Sequence, residues 1–503
     1  MKKPAVLKSS TRPTSKKLSN RDFMKKVTRR SFMKTAAWAA GVTALPARVW
    51  AQAPGSNSDI RVAVVGFNGR GKDHISGLSA VKGVRLVGLC DADQKVLAAE
   101  VQKQEQKQNV VQGYTDIRRM LDNKDIDVVT IGTPNHWHAL GTIWACQAGK
   151  DVYVEKPVSH NVFEGRKAVE AARKYNRIVQ TGTQSRSNPG MREAVEFIQQ
   201  GNLGKILWVR GLCYKRRASI GKVDGPQQIP QNIDYDLWCG PSPMVPLMRK
   251  NLHYDWHWVW ETGNGDLGNQ GIHQMDIGRW ILGEDALSPE VFSVGGRLGY
   301  VDDGTTPNTQ IVFHNYKKAP LIFEVRGLPA RTDAKEMDKY RGASVGVVVQ
   351  CEGGYVSIPT YNSATVYDND GKETRKFNGT ASHYENFITA VRERKRELLT
   401  ADILEGHLSS ALCHTGNISY RLGKKASPEA IREQIKGDKL AEESFGRMAE
   451  HLAANDVDIS KEMVTLGPVL RMDAASEKFT NNREANTQLT REYRKPYVVP
   501  DKV

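Results

Sequence analysis

Cysteine is scarce in this chain. Six residues, Cys90, Cys146, Cys213, Cys239, Cys351 and Cys413, are scattered over 503 positions with no Cys-x-x-Cys pair. That spacing excludes a disulfide framework or a zinc site and leaves buried free thiols as the expectation. Internal repeats are lacking too, which excludes a solenoid. No stable membrane span is expected, because the apolar run at 35–45 is short and Ala-rich. Acids are nearly missing from the first 51 positions, which hold thirteen of the 72 Lys and Arg and one of the 56 acids, Asp22. The formal charge of +16 therefore falls to +4 for the remainder, and no nucleic-acid partner is expected. At 39% hydrophobic and 25% charged, the rest is globular in composition and too long for one core.

The basic leader reads Thr28-Arg29-Arg30-Ser31-Phe32-Met33-Lys34 before its apolar run. It resembles a twin-arginine export signal, with cleavage after Ala51 or Ala53 and Pro54 disfavouring the second site. An uncleaved amphipathic anchor is the alternative. The resemblance implies periplasmic localisation, the twin-arginine translocase as a transient partner, and export in the folded state, whose commonest reason is a tightly bound cofactor. Residues 1–51 are read as signal peptide and 52–58 as linker.

From residue 59, apolar β-like runs (60–65, 85–90, 127–132, 151–155 and 177–181) alternate with helical patterns such as 163–175. This predicts an α/β domain over 59–184 with a doubly wound parallel sheet. Its first turn, Gly66-Phe67-Asn68-Gly69-Arg70-Gly71, is rich in glycine and opens a helix, where backbone can approach a pyrophosphate. Asp91 ends the second strand, placed to hydrogen-bond ribose hydroxyls and to favour NAD over NADP, while Arg70 and Lys95 pull toward NADP. Thr133, Asn135, His136 and His138 follow the next long strand as cofactor-edge or helix-start residues, and the histidines' i, i+2 spacing makes a metal pair unexpected. The run 151–155 ends in Glu155-Lys156-Pro157, a charged pair where parallel sheets bind ligands, although a surface Glu-Lys pair is the blander reading.

Beyond residue 204 the pattern becomes β-rich (205–211, 291–296, 309–313, 321–327, 344–351 and 355–358) and predicts an α+β domain, 185–425, with an open, mainly antiparallel sheet. An aromatic insertion at 235–260 carries His253, His257 and Trp258; its ring faces suit a sugar, or else pack between the domains. Tyr214 and His257 join Trp258 as candidate substrate contacts. Residues 426–503 are polar and charged, and are read as a peripheral cap or an arm wrapping a neighbour.

Taken together, Gly66 to Gly71, Asp91, Thr133-Pro134-Asn135-His136, Glu155-Lys156-Pro157 and Gly182-Thr183-Gln184 resemble the glucose-fructose oxidoreductase, inositol dehydrogenase and MocA family over about residues 59–425. The resemblance implies that Lys156 lies beside nicotinamide and substrate, that Glu155 and Gln184 border the cofactor, and that the second sheet's face makes a homo-oligomer, dimer or tetramer. It also matches a His-x-x-Asp pattern at His273 and Asp276, marking His273 as catalytic. Where that pattern usually has an acid four residues earlier, this chain has Asn269, which can orient a hydroxyl but cannot stabilise an imidazolium by charge. The implied function is oxidation of a sugar, polyol or glycoside with bound NAD or NADP, Lys156 and His273 moving the proton. A redox-neutral glycoside cleavage through a keto-sugar ranks second, and a non-catalytic sugar-binding protein third.

Overall fold

The computed structural model describes residues 59–461 and 464–503. The expected leader and linker lie outside them. Ile60–Val65 (β1) starts a sheet whose strands read as near-continuous apolar runs, because crossover helices cover both faces. Its elements are Gly71–Ser79 (α1), Val84–Cys90 (β2), Gln94–Gln106 (α2), Gln112–Tyr114 (β3), Val128–Ile131 (β4), Asn135–Gln147 (α3), Asp151–Val154 (β5), Val162–Lys174 (α4) and Val179–Thr181 (β6). The strand order is β3-β2-β1-β4-β5-β6, all parallel. The order reverses between β1 and β4, which opens a crevice at their carboxyl ends. Strand β3 was not expected from sequence; it is a three-residue edge strand in which Gln112 and Gly113 are exposed.

The second sheet begins with Ile206–Tyr214 (β7). After Gly265–Asn269 (α5) and Gly271–Leu282 (α6) come Glu290–Gly296 (β8), Thr309–His314 (β9), Leu321–Arg326 (β10), Val345–Cys351 (β11), Gly354–Ile358 (β12), Ser363–Tyr367 (β13) and Glu373–Asn378 (β14). Its order is β14-β13-β12-β11-β7-β10-β9-β8, extended beyond β8 by Val464–Leu466 and Lys424–Ala426. Pairing is antiparallel except between β7 and β10. Ile403–Arg421 (α7) and α6 bury one face of this sheet, with Leu408, Leu412, Ile272 and Met275 in a common core with Val209 and Leu321.

The C-terminal extension packs on its own chain. Lys439–Ala453 (α8) places Ala441, Phe445, Met448 and Leu452 along one stripe, against Phe292, Ile311 and Phe313 of the sheet's other face. The tail then reaches the first domain, where Tyr497 is buried with its ring 5.6 Å from Trp137 and its hydroxyl donating to Asp236 at 2.7 Å. The extension thus covers the outer face of the second sheet, and its tail lies against this chain's own nucleotide domain.

Candidate active site

A cavity of about 510 Å³ opens at the carboxyl ends of β1, β2, β4 and β5 and runs to the aromatic insertion. Gly66 holds φ +73°, and a β-carbon there would lie 2.8 Å from Thr133. One on Gly71 would lie 2.1 Å from the Gly66 carbonyl oxygen. The turn therefore closes only with glycine, bringing bare backbone to the cavity beside Asn68, Gly69 and Arg70. Asp91 lies on the same wall, its carboxylate accepting the N–H of Phe67 at 3.2 Å and of Asp93 at 3.0 Å. Burial raises the Asp91 carboxyl, against those two hydrogen bonds. The Phe67 ring is buried in the core, so this residue acts through its backbone. A glycine cradle followed by an oriented acid fits the pyrophosphate and ribose of a dinucleotide.

Glu155 and Lys156 stand where β5 ends. Arg70 Nε donates to Glu155 at 3.0 Å and His74 Nε2 lies 3.2 Å from the same oxygen. Burial alone would raise the Glu155 carboxyl; the His74 hydrogen bond and the charges of Lys156, His74 and Arg70 hold it well below the usual carboxylate range. Lys156 Nζ donates to the Asn269 backbone carbonyl at 3.1 Å. Burial, with Arg70 and Lys215, lowers its pKa against the pull of Glu155. His138 spans the carbonyls of Pro157 and Thr133, at 2.5 and 2.8 Å, tying the Lys156 loop to the end of β4.

The second domain supplies the far wall. Asn269 and Gln270, at the junction of α5 and α6, face the cavity. Gln270 donates to the Tyr361 hydroxyl at 2.5 Å and accepts from Lys215 Nζ at 3.2 Å. His273 sits on α6 behind them, 7% exposed, its ring 4.7 Å from Tyr361. Burial and the charge of Lys156 drive its pKa well below the ordinary value, so the imidazole is neutral. His257 lines the cavity, stacked on Trp256 at 3.6 Å, and burial lowers it to about 3.

Several candidates lie off this wall. Tyr214 is buried with its hydroxyl donating to Glu324. Strand alternation turns it to the opposite face from Lys215, which does line the cavity. Asp276 accepts from Arg186 at 2.9 Å and from Ser409 at 2.7 Å, which pins α6 to α7; it is a structural acid. Trp258 is buried beneath the Arg217 guanidinium, 5.0 Å from its ring centre. His136 bonds the Trp238 carbonyl at 2.9 Å, and Asn135, on the wall, bonds Asn264 at 3.0 Å, so both join the domains. Gln184 begins a helical turn outside the cavity lining. Sequence reasoning missed Lys215 and Arg217, and gave His253 and Tyr254 no role beyond membership of the aromatic insertion; all four are on the wall. The basic run after a strand, Lys215-Arg216-Arg217, was the available signal.

A switch-point crevice with this cradle, faced by a second mixed sheet, defines a two-domain dinucleotide-binding protein. The chain belongs to an oxidoreductase family. Residues 60–183 match its NAD-binding Rossmann fold and 198–326 its C-terminal alpha/beta domain, together half of the chain. It is 28% identical over 236 residues to inositol 2-dehydrogenase of Salmonella typhimurium, covering 46% of this chain and 57% of that one. It is 31% identical over 155 residues to a glycosyl hydrolase family 109 protein of a Shewanella species, covering 29% and 33%. The matches thus span about half or less of these relatives. The crystal structure of an oxidoreductase domain protein from Kribbella flavida shares the fold, with TM-score 0.55 and 17% identity over 71% of this chain and 96% of that one.

Proposed function

We propose that this protein is an NAD-dependent oxidoreductase that acts on a secondary hydroxyl of a sugar, polyol or glycoside. The carrying observation is Lys156, an amine whose proton is weakened by burial and which faces the cavity between the glycine turn and Asn269. The nicotinamide nucleotide, held by residues 66–71 and Asp91, supplies the hydride acceptor when bound. Lys156 takes the hydroxyl proton, and Asn269 and Gln270 orient the substrate. His273, the second acceptor in this reading, lies off the cavity lining and is made a weaker base by burial and the charge of Lys156. Tyr254, Trp256 and His257 offer ring faces to the C–H side of a sugar. Arg70 is engaged by Glu155 and by Asp73 at 2.8 Å, which removes it as a partner for a 2′-phosphate and favours NAD. The match of residues 60–183 and 198–326 to an NAD-binding oxidoreductase family, and the likeness to an inositol 2-dehydrogenase, support this reading.

The leader with Arg29 and Arg30 supports export to the periplasm with the nucleotide already bound. There, reoxidation must occur on the protein, by a second substrate or by the intermediate itself. The likeness to a glycosyl hydrolase family 109 protein favours the latter as the alternative reading, a cleavage without net redox change.

The test is to purify the mature protein, identify the nucleotide released on denaturation, and follow nicotinamide absorbance while sugars are added. Bound NAD that becomes reduced supports the oxidoreductase. Bound NAD with glycoside cleavage and no net reduction selects the alternative, and absence of nucleotide together with failure to bind added NAD sinks both.

A further inference from the structure

We propose that the substrate carries a carboxylate, and that Lys215 receives it. The inference rests on the oxidoreductase reading for the reacting centre and on the distribution of charge along the cavity for the rest.

Four charged groups of the second domain and β5 meet at the substrate end: Lys156, Lys215, Arg217 and Asp266. Asp266 is spent on Arg217, which it holds with two hydrogen bonds of 2.7 Å. Glu155, the other nearby acid, is taken by Arg70 and His74. Among the described residues the two amines are left with neutral partners: Lys156 with the Asn269 carbonyl at 3.1 Å, and Lys215 with the Gln270 side-chain carbonyl at 3.2 Å. Both therefore converge on one dipeptide; Lys156 feels the charges of Glu155 and Asp266, whereas Lys215 hydrogen-bonds no carboxylate among the described residues. Of the two acids that line the cavity, Asp91 belongs to the ribose end and Glu155 is held by Arg70 and His74. A neutral sugar would leave the Lys215 charge without a carboxylate partner. A sugar acid would lay its carboxylate on Lys215 and its carbinol on Lys156, and a charge-assisted bond in a partly desolvated cavity is stronger than a neutral one. Lys215 is exposed at the mouth, so it can receive the charged end while the hydroxyl-bearing ring goes deeper.

The test uses the protein with its retained nucleotide. Calorimetry compares glucuronate, galacturonate and gluconate with glucose and galactose, for the native chain, Lys215→Gln and Lys215→Arg, and nucleotide reduction is read in the same samples. The expected result is at least one acid bound about tenfold more tightly than its neutral counterpart. Lys215→Gln weakens the acid by about tenfold more than the neutral sugar and so removes that advantage, Lys215→Arg keeps most of it, and added salt weakens it. Equal affinities for acids and neutral sugars, or an acid preference untouched by Lys215→Gln, overturn the proposal. Acid binding that depends on Lys215 but yields no reduction would count against the oxidoreductase reading and leave the carboxylate contact standing. Neutral sugars oxidised as efficiently as acids would do the reverse.

Discussion

Lys156 Nζ donates to the backbone carbonyl of Asn269 at 3.1 Å. This bond carries the end of β5 across to the junction of α5 and α6, so the proposed proton acceptor is held by both domains.

Replacing Lys156 tests that role. Because its pKa is lowered, mainly by burial, the amine form becomes available below the ordinary lysine range. The kcat/KM should rise with pH, with a midpoint below that of an ordinary lysine. Lys156→Arg keeps the charge and removes the acceptor, so kcat should fall roughly 10²- to 10⁴-fold and the rising limb should vanish. Steady-state profiles of both proteins decide it.

Asn269→Asp should move the same limb. A carboxylate beside Lys156 favours the ammonium form, so the midpoint of the profile shifts to higher pH, by about one unit or more. An unshifted midpoint would mean that the titrating group is not Lys156.

Asp91→Asn addresses cofactor choice. Loss of the negative charge at the end of β2 removes repulsion toward a 2′-phosphate and weakens the grip on the ribose. Equilibrium titrations should show the ratio of NAD to NADP affinity dropping by about tenfold or more, with NAD itself bound less tightly.

Tyr497→Ala reports on the tail. The ring is buried among Trp137 and Trp144, and the hydroxyl reaches Asp236. Its removal should cost roughly 3–5 kcal/mol, read as a lower melting temperature. With NAD bound both proteins should melt higher and the difference between them should persist, since a ligand of the native state adds the same stability to each by mass action at equal affinity.

The parts legible in the sequence were those in which periodicity and position coincide. Strands β1, β2, β4 and β5 are buried on both faces and therefore read as apolar runs. Strand β14 escaped because five of its six side chains are exposed, so its composition resembles a loop. Within the site, the glycine turn, Asp91 and Lys156 follow from their strand ends, and the structure places them on one cavity. Tyr214 and Lys215 show where the logic failed: neighbours on a strand face opposite ways, and only the sheet's orientation decides which one meets the cavity. Asp276 could not be told from a catalytic acid, since Arg186 and Ser409 reach it from distant parts of the chain.

The contact between Tyr497 and Trp137 also sets a calendar for synthesis. The nucleotide domain leaves the ribosome first, yet Trp137 and Trp144 receive their covering ring only when the final stretch of chain has been made. Contacts between such remote positions close slowly, because a long loop must be ordered before they return any stability. The Trp137 and Trp144 side of the nucleotide domain thus stays uncovered until residue 497 has been made.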